Sequence, residues 1–374
     1  MLGALGLAGI SIVQAWRVYG QAGPGGRLLP PAIMEPPDGF GEQFEHPYKG
    51  RSLIVRLAVT SYRIVFLSWC FARFALASLM LVVFGGSVWR ERWLAEMISG
   101  LEEAGCAFQK FGQWLSMRPD MIADDVIKAL STLRQDAPEH TLDETRRVVR
   151  EEWGKEIEDV FETFDPKPVA SGSVAQVHKA RLREECAMEG GVRDVAVKVR
   201  HPKVLQETYV DIELIFAFIN SLGEVAGHLT IPFTKDEFQQ ILQKQIDFRW
   251  EAYNLSRFRH NFHGERSLVF PAVCDELLSP GILVESWIPG STMSSIFTDV
   301  GSGLKEVPQS GPQGEGPEMR KQKARFAKTL FDMTMKMFLR DNLVHGDLHG
   351  GNVMFVHESD IVGIVDGGLV TGVE

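Results

Sequence analysis

The segment "LVHGDLHGGNVMF" at 343–355 sets Asp347 five positions before Asn352 and two after His345, in a glycine-rich turn between apolar flanks. An acid and an amide at that spacing suit phosphoryl transfer. The acid orients the attacking hydroxyl or water, and the amide helps hold a divalent metal. Fourteen positions beyond Asn352, Asp366 ends the apolar run "IVGIVD" and is followed by two glycines. A carboxylate at a strand end before glycines suits Mg²⁺, a hard cation that takes oxygen ligands. Upstream, "ASGSVAQVHKA" puts Gly172 and Ser173 between strand-like pieces, where small residues let backbone N–H groups approach phosphates. "VAVKVR" then sets Lys198 at the centre of an alternating apolar strand, the pattern of a lysine that pairs with the α/β-phosphates. Each piece alone has a bland explanation: a hairpin turn, a solvated strand lysine, a loop carboxylate. Their order along the chain follows the phosphoryl-transfer template, and that order decides for a magnesium-ATP site.

The elements that must position these residues follow from apolar spacing. From about 90 to 150 the period is helical, in "RWLAEMISGLEEAGCAFQKFGQWLSM", "MIADDVIKALSTL" and "TLDETRRVVREEW", the last opening on Thr141 with Asp143 and Glu144 as a capped start. "PVASGSVAQVHKARL" and "RDVAVKVRHP" switch to strand period around a hairpin, and helical spacing returns through 203–260. "SLVFPAV" and "GILVESWIPG" are expected strands. The second is expected to link two lobes, with Glu285–Trp287 near the base through backbone atoms. Residues 297–325, rich in Gly, Pro and charge, read as a mobile insertion ahead of the helix "ARFAKTLFDMTMKMFLRDN".

The chain has 374 residues, enough for two or three domains, with 45% apolar and 24% charged residues, as in ordinary globular proteins. A net charge of −10 argues against a nucleic-acid partner, since no broad basic surface is available for phosphates. Cys70, Cys106, Cys186 and Cys274 form no CxxC pair, so neither a zinc knuckle nor a disulfide framework is indicated. His178 and His349 have no partner at ligand spacing and read as structural histidines. "MLGALGLAGISIVQAW" at the start is short for a bilayer span and suits a targeting segment, and "GQAGPGGRLLPPAIMEPPDGFGE" (20–42) a linker. Residues 64–86 are long enough to span, with the costly Arg73 inside. They are read either as membrane-associated or as a greasy helix packed on the body.

One more motif lies upstream of the nucleotide loop: "KFGQ" (Lys110–Gln113), running into "WLSMRPDMI". With "QIDFRWEAYN" (245–254) and the alanine-bearing loop "PVASGSVAQVHKA", it resembles the UbiB/aarF-domain (ADCK) family of atypical kinases over about 95–372. Similar motifs there are KxGQ followed by Q-x-x-S-x-R-x-D, an E-x-D element with a helix-borne Glu and Asn, and an alanine-rich loop.

The resemblance implies an α+β, protein-kinase-like two-lobe fold with an N-terminal helical KxGQ extension, and a C-lobe that reads as truncated at Glu374. It implies domains at 1–45 (targeting and linker), 46–90 (hydrophobic helices), 91–155 (extension), 156–290 (N-lobe) and 291–374 (partial C-lobe). It makes Glu251 the ion-pair partner of Lys198. It assigns Lys110, Gly112 and Gln113 to the extension that covers the site, with Asp247 meeting it. ATP and Mg²⁺ are the implied cofactors; a membrane lipid or membrane-associated complex is the implied partner; a mitochondrial membrane is the implied location. The implied role is ATP-dependent support of coenzyme Q or lipid metabolism, with the protein substrate open. Three features depart from the pattern: Gln245 in place of Glu and "DGG" (366–368) in place of DFG resemble the divergent mitochondrial ADCK branch, and Gly172 in place of an alanine moves the loop towards ordinary kinase flexibility. Two alternatives stand beside it: a pseudokinase scaffold at a membrane, and a small-molecule phosphotransferase of the aminoglycoside/choline kinase type, which lacks a KxGQ extension.

Overall fold

The computed structural model describes residues 30–37, 48, 50–133, 138–226, 234–293, 317–356 and 361–372, with the side chains of 222–226 and 317–320 excepted. The expected targeting segment, most of the linker and residues 297–316 of the expected insertion lie outside the described residues. Residues 317–325, also expected in that insertion, instead belong to a helix.

Among the described residues five helices come first: α1 (Leu53–Cys70), α2 (Ala72–Phe84), α3 (Gly86–Ala104), α4 (Cys106–Ser116) and α5 (Asp124–Leu130). The expected single helix over 64–86 is broken at Phe71. No Pro or Gly stands there, so tertiary packing makes the break. The Phe71 ring lies on Phe108 and so close to Gly100 that a Cβ at Gly100 would stand 2.8 Å from it. Arg73 pairs with Glu96 at 3.3 Å and also with Glu103, so its charge is matched by α3 rather than left in an apolar span. Val126, Leu130 and Leu133 close a small core with Trp93, Leu101 and Leu115.

Next come α6 (Leu142–Trp153) and the short α7 (Ile157–Val160). Thr141 and Glu144 form a reciprocal capping box at the start of α6, and Gly154 ends it at φ 65°. A sheet follows, made of β1 (Phe161–Phe164), β2 (Ala170–Ser171), β3 (Ala175–Leu182), β4 (Asp194–Arg200) and β6 (Ile282–Ser286). Its order is β1-β3-β4-β6, with β2 on β3. Val148 and Val149 of α6 pack on one face of it, against Val195, Val197, Val199, Ile282 and Val284.

Helices α8 (Val204–Ala226), α9 (Lys235–Ile246) and α10 (Phe248–Asn261) stand between β4 and β6 in sequence. Phe248, Ala252 and Leu255 of α10 pack with Leu283 and Ala175 on the other face of the sheet. A second sheet, in the order β5-β10-β9-β7, comprises β5 (Leu268–Val269), β7 (Ser291–Thr292), β9 (Val353–Val356) and β10 (Ile361–Ile364). A further pair joins β8 (Val344–His345) to β11 (Val370–Thr371). Helix α11 (Pro317–Lys336), continued by a π-helical turn at Met337–Asp341, covers this lower core through Met333 and Met337. The fold is a two-lobed, kinase-like α+β architecture with helices added at its N-terminal side.

Candidate active site

Alternation on β4 sends Val195, Val197 and Val199 into the layer under α6 and Lys198 to the opposite face. The Lys198 Nζ lies 2.5 Å from Glu251 Oε1 and 3.8 Å from Asp366 Oδ2. Burial works against the ammonium, but the carboxylates of Asp366, Glu251 and Glu285 outweigh it and hold Lys198 above the ordinary lysine value.

Glu251 sits in the first turn of α10. Its Oε1 also accepts the Gly367 N–H at 3.2 Å, while Asn254 donates Nδ2 to the Gly367 carbonyl at 2.8 Å. The helix thus grips the DGG segment by its main chain. A Cβ at Gly367 would stand 3.1 Å from Leu255 Cγ, a tight contact, and in place of a Phe the bonds from α10 position the aspartate.

Burial alone would raise Asp366. Lys198, the Gly368 N–H at 2.9 Å and His345 bring its carboxyl down to about 2. Its φ of 72° is a left-handed conformation rare outside glycine. His345, buried and held neutral by that burial, fixes it there: Nε2 donates to the Asp366 carbonyl at 2.5 Å. The His345 Nδ1 accepts the Asp347 N–H at 3.2 Å, so one imidazole couples the two loops. Asn352 donates Nδ2 to the Asp347 carbonyl at 3.0 Å, and the Val365 N–H donates to the Asn352 carbonyl at 3.0 Å. With Nδ2 so used, Asn352 offers Oδ1 to a cation. One carboxylate and one amide oxygen fit Mg²⁺, which usually takes one or two protein oxygens and completes its shell with phosphates and water.

The loop at Gly172–Val174 is closed by its own main chain and by His201. The Gly172 N–H donates to the Ala175 carbonyl at 2.8 Å, and the His201 N–H donates to the Val174 carbonyl at 2.9 Å. His201 Nε2 donates to the Gly172 carbonyl at 2.8 Å. Ser173 at its tip contacts Cys106 of α4.

The same helix α4 carries Lys110, Gly112 and Gln113. The Lys110 charge is among those that favour ionised Asp366. Gly112 is a packing position, since a Cβ there would stand 2.5 Å from Leu133 Cδ1. Asp247, expected to meet the Lys110 segment, turns to Arg249 instead. It accepts the Arg249 N–H at 3.0 Å and pairs with its guanidinium at 2.6 Å. The reason is local: α9 ends and α10 begins at Asp247, whose carboxylate caps the new helix. Gln245 keeps a buried Oε1 with no hydrogen-bond partner among the described residues.

The structure therefore brings Lys198, Glu251 and Asp366 into direct contact and ties Asp347 and Asn352 to them through His345 and Val365. Sequence reasoning noted Asn254 only as the helix-borne Asn of the resembling motif, without a contact, and gave no role to His201 or the Glu285 side chain.

A buried strand lysine paired to a helix glutamate, over a loop holding an acid and an amide, defines a protein-kinase-like class. Comparison with known proteins narrows it. The model of the ABC1 atypical kinase-like domain matches residues 132–374. The chain belongs to this ABC1 family. It is 35% identical over 274 residues to the Dictyostelium discoideum protein named "Probable serine/threonine-protein kinase abkC", covering 72% of this chain and 36% of that protein. A mitochondrial ABC1 family protein of Schizosaccharomyces pombe is 30% identical over 287 residues, covering 70% of this chain and 39% of that one. The UbiB protein of Aeromonas hydrophila is 28% identical over 260 residues, 69% of this chain and 43% of the relative. The chain thus spans about two fifths of the length of these relatives. Among solved structures, that of Mycobacterium tuberculosis Rv3197 in complex with erythromycin superposes with a TM-score of 0.51 at 25% identity, covering 76% of this chain and 66% of that one.

Proposed function

We propose that the chain binds Mg-ATP and transfers or hydrolyses its terminal phosphoryl group. The observation that carries this reading is the contact of Lys198 with both Glu251 and Asp366, since a buried cation so held is oriented towards polyphosphate. In this reading Lys198 neutralises phosphate oxygens, the Gly172–Val174 main chain lies over them, and Asp347 orients the attacking hydroxyl or water. Asn352 and Asp366 hold Mg²⁺. When bound, the ion supplies charge neutralisation across the phosphates. Helix α4, seated against the nucleotide loop, favours a small acceptor or water over a protein substrate.

The role extends to a membrane, in support of coenzyme Q or lipid metabolism in a mitochondrion. Relatives of bacterial UbiB and mitochondrial ABC1 type support it, as does the surface of α1 and α2. Helix Leu53–Cys70 is long and apolar enough to cross a membrane by length and composition. The stretch from Arg51 to Arg90 holds five arginines and no acid, which suits anionic lipid.

The test is thermal shift with Mg²⁺ and nucleotide. Lys198→Ala and Asp366→Asn are each expected to abolish the Mg-dependent shift seen in the parent chain. An undiminished shift in both variants rules the assignment out.

A further inference from the structure

Strands β4 and β6 are antiparallel, with Lys198 opposite Leu283 and Ala196 opposite Glu285. Residues two apart on a strand share a face, so Lys198 and Glu285 look to the same side of the sheet. Leu283, opposite Lys198 and two residues before Glu285, marks that side as the one under α10. Glu285 is only 4% exposed, and its Oε2 has no hydrogen-bond partner among the described residues. A buried polar atom left unpaired is costly, and a native structure keeps few of them without reason. Burial raises Glu285 to about 8, against the pull of Lys198, so near neutral pH the group is a carboxylic acid with one donor and one acceptor oxygen.

Its place in the fold narrows what that pair of atoms faces. Glu285 is the last residue but one of β6, and the chain then passes through Trp287–Gly290 to β7 in the second sheet. The neighbouring main chain is already used: the Ser286 N–H donates to the Ala272 carbonyl at 2.8 Å and the Trp287 N–H to the Asp194 carbonyl at 2.9 Å. A buried carboxyl group with Oε2 unpaired therefore stands between the phosphate-facing lysine and the connection between the lobes, where the base of a nucleotide belongs.

We propose that the Glu285 side chain reads the base, matching one accepting and one donating oxygen to the N6 amino group and N7 of adenine. Adenine presents that donor–acceptor edge, whereas guanine presents two acceptors, O6 and N7, and so mismatches one of the two oxygens. The inference rests on the nucleotide reading above and deepens it from a polyphosphate site to an adenine-selective one.

Calorimetric titration of the full chain with Mg²⁺ and four triphosphates tests it: ATP, GTP, 7-deaza-ATP, which lacks the N7 acceptor, and purine riboside triphosphate, which lacks the N6 amino group. ATP is expected to bind tightest, with each of the others weaker by roughly ten-fold or more, the size of one lost bidentate match. Glu285→Leu is expected to level the four affinities. Glu285→Gln, whose amide offers the same donor and acceptor, is expected to keep the ranking. Equal affinity of the parent chain for ATP, GTP and 7-deaza-ATP overturns the adenine reading while nucleotide binding stands, and needs no variant to fold. A Glu285→Leu chain that still ranks the four as the parent does also overturns it. Binding of none of the four by the parent chain removes the nucleotide reading and this one together.

Discussion

At the scale of single residues, three histidines behind the Gly172–Val174 loop form one directional chain of hydrogen bonds. The Gly172 carbonyl can only accept, so His201 carries its proton on Nε2 and accepts at Nδ1 from His140 Nδ1, 2.7 Å away. His140 Nε2 then accepts from the Thr145 hydroxyl at 3.0 Å. His178 donates Nδ1 to the Asp165 carbonyl at 2.8 Å and accepts at Nε2 from Gln176 Nε2 at 2.9 Å. Gln176 Oε1 closes the chain by accepting the His140 N–H at 2.9 Å. Every bond is satisfied with all three rings neutral. Protonating His140 and His201 together would set two N–H groups against each other. Burial lowers all three, and with the His201 charge it takes His140 down to about 4. The sign follows. Between about 6.5 and about 4 the unfolded chain binds protons that the folded chain refuses, so stability is full above pH 6.5 and falls as the pH drops through that window. Urea midpoints measured from pH 7.5 to pH 4.5 are expected to decline, and His140→Gln to decline less steeply. Parallel slopes in the two proteins would show that these histidines do not govern the acid limb.

At the scale of elements, legibility divides by the range of the contact. Lys198, Asp347, Asn352 and Asp366 could be found because short-range patterns announce them: an alternating strand for the lysine, a fixed Asp–Asn spacing, a strand end before glycines. Helix α6 was legible from its capping box. The side chain of Glu285 was not, because the pairing of Ala196 with Glu285 is a cross-strand register that one sequence does not print. Nor was the break at Phe71, which follows from Gly100 on another helix. The same limit hid the role of Arg63. This arginine, in the middle of an apolar helix, meets Asp211 of α8 through two bonds of 2.7 and 2.8 Å, and donates to the Ala104 carbonyl at 2.5 Å. Both side chains are almost wholly buried. The pair is the polar bolt between α1 and the kinase-like body. Removing Asp211 leaves the buried Arg63 with only the half-exposed Glu207, 3.7 Å away, to balance its charge. Asp211→Leu is therefore expected to cost about 3–5 kcal/mol in chemical denaturation, and Arg63→Leu with Asp211→Leu together much less. A single variant as stable as the parent would mean that α1 is held by its apolar contacts alone.

At the scale of the whole molecule, that bolt limits how α1 would meet lipid under the membrane role proposed above. One side of the helix is committed to α8, so bilayer can reach only its outer side. The outer side is apolar: Ile54 is 80% exposed, Val65 71%, Trp69 78%, and on α2 Val82 is 84% exposed. Many large apolar side chains exposed on two successive helices suit an interaction face. Arg51 and Arg56, exposed at the first residues of the same segment, add attraction to anionic headgroups. The geometry thus favours a helix pair lying in the interface, with the kinase-like body held at the membrane surface, over a helix that crosses. The chain is expected to float with vesicles containing anionic lipid, to float less with neutral ones, and to be released by high salt only in part, because burial of apolar area remains when charge is screened. Serine at Ile54, Val65, Trp69 and Val82 together is expected to abolish flotation while leaving the Mg-nucleotide thermal shift in place, since none of the four contacts the site. Flotation that survives all four substitutions would move the docking surface elsewhere on the molecule, and loss of the thermal shift with them would tie the helix pair to the nucleotide site rather than to lipid.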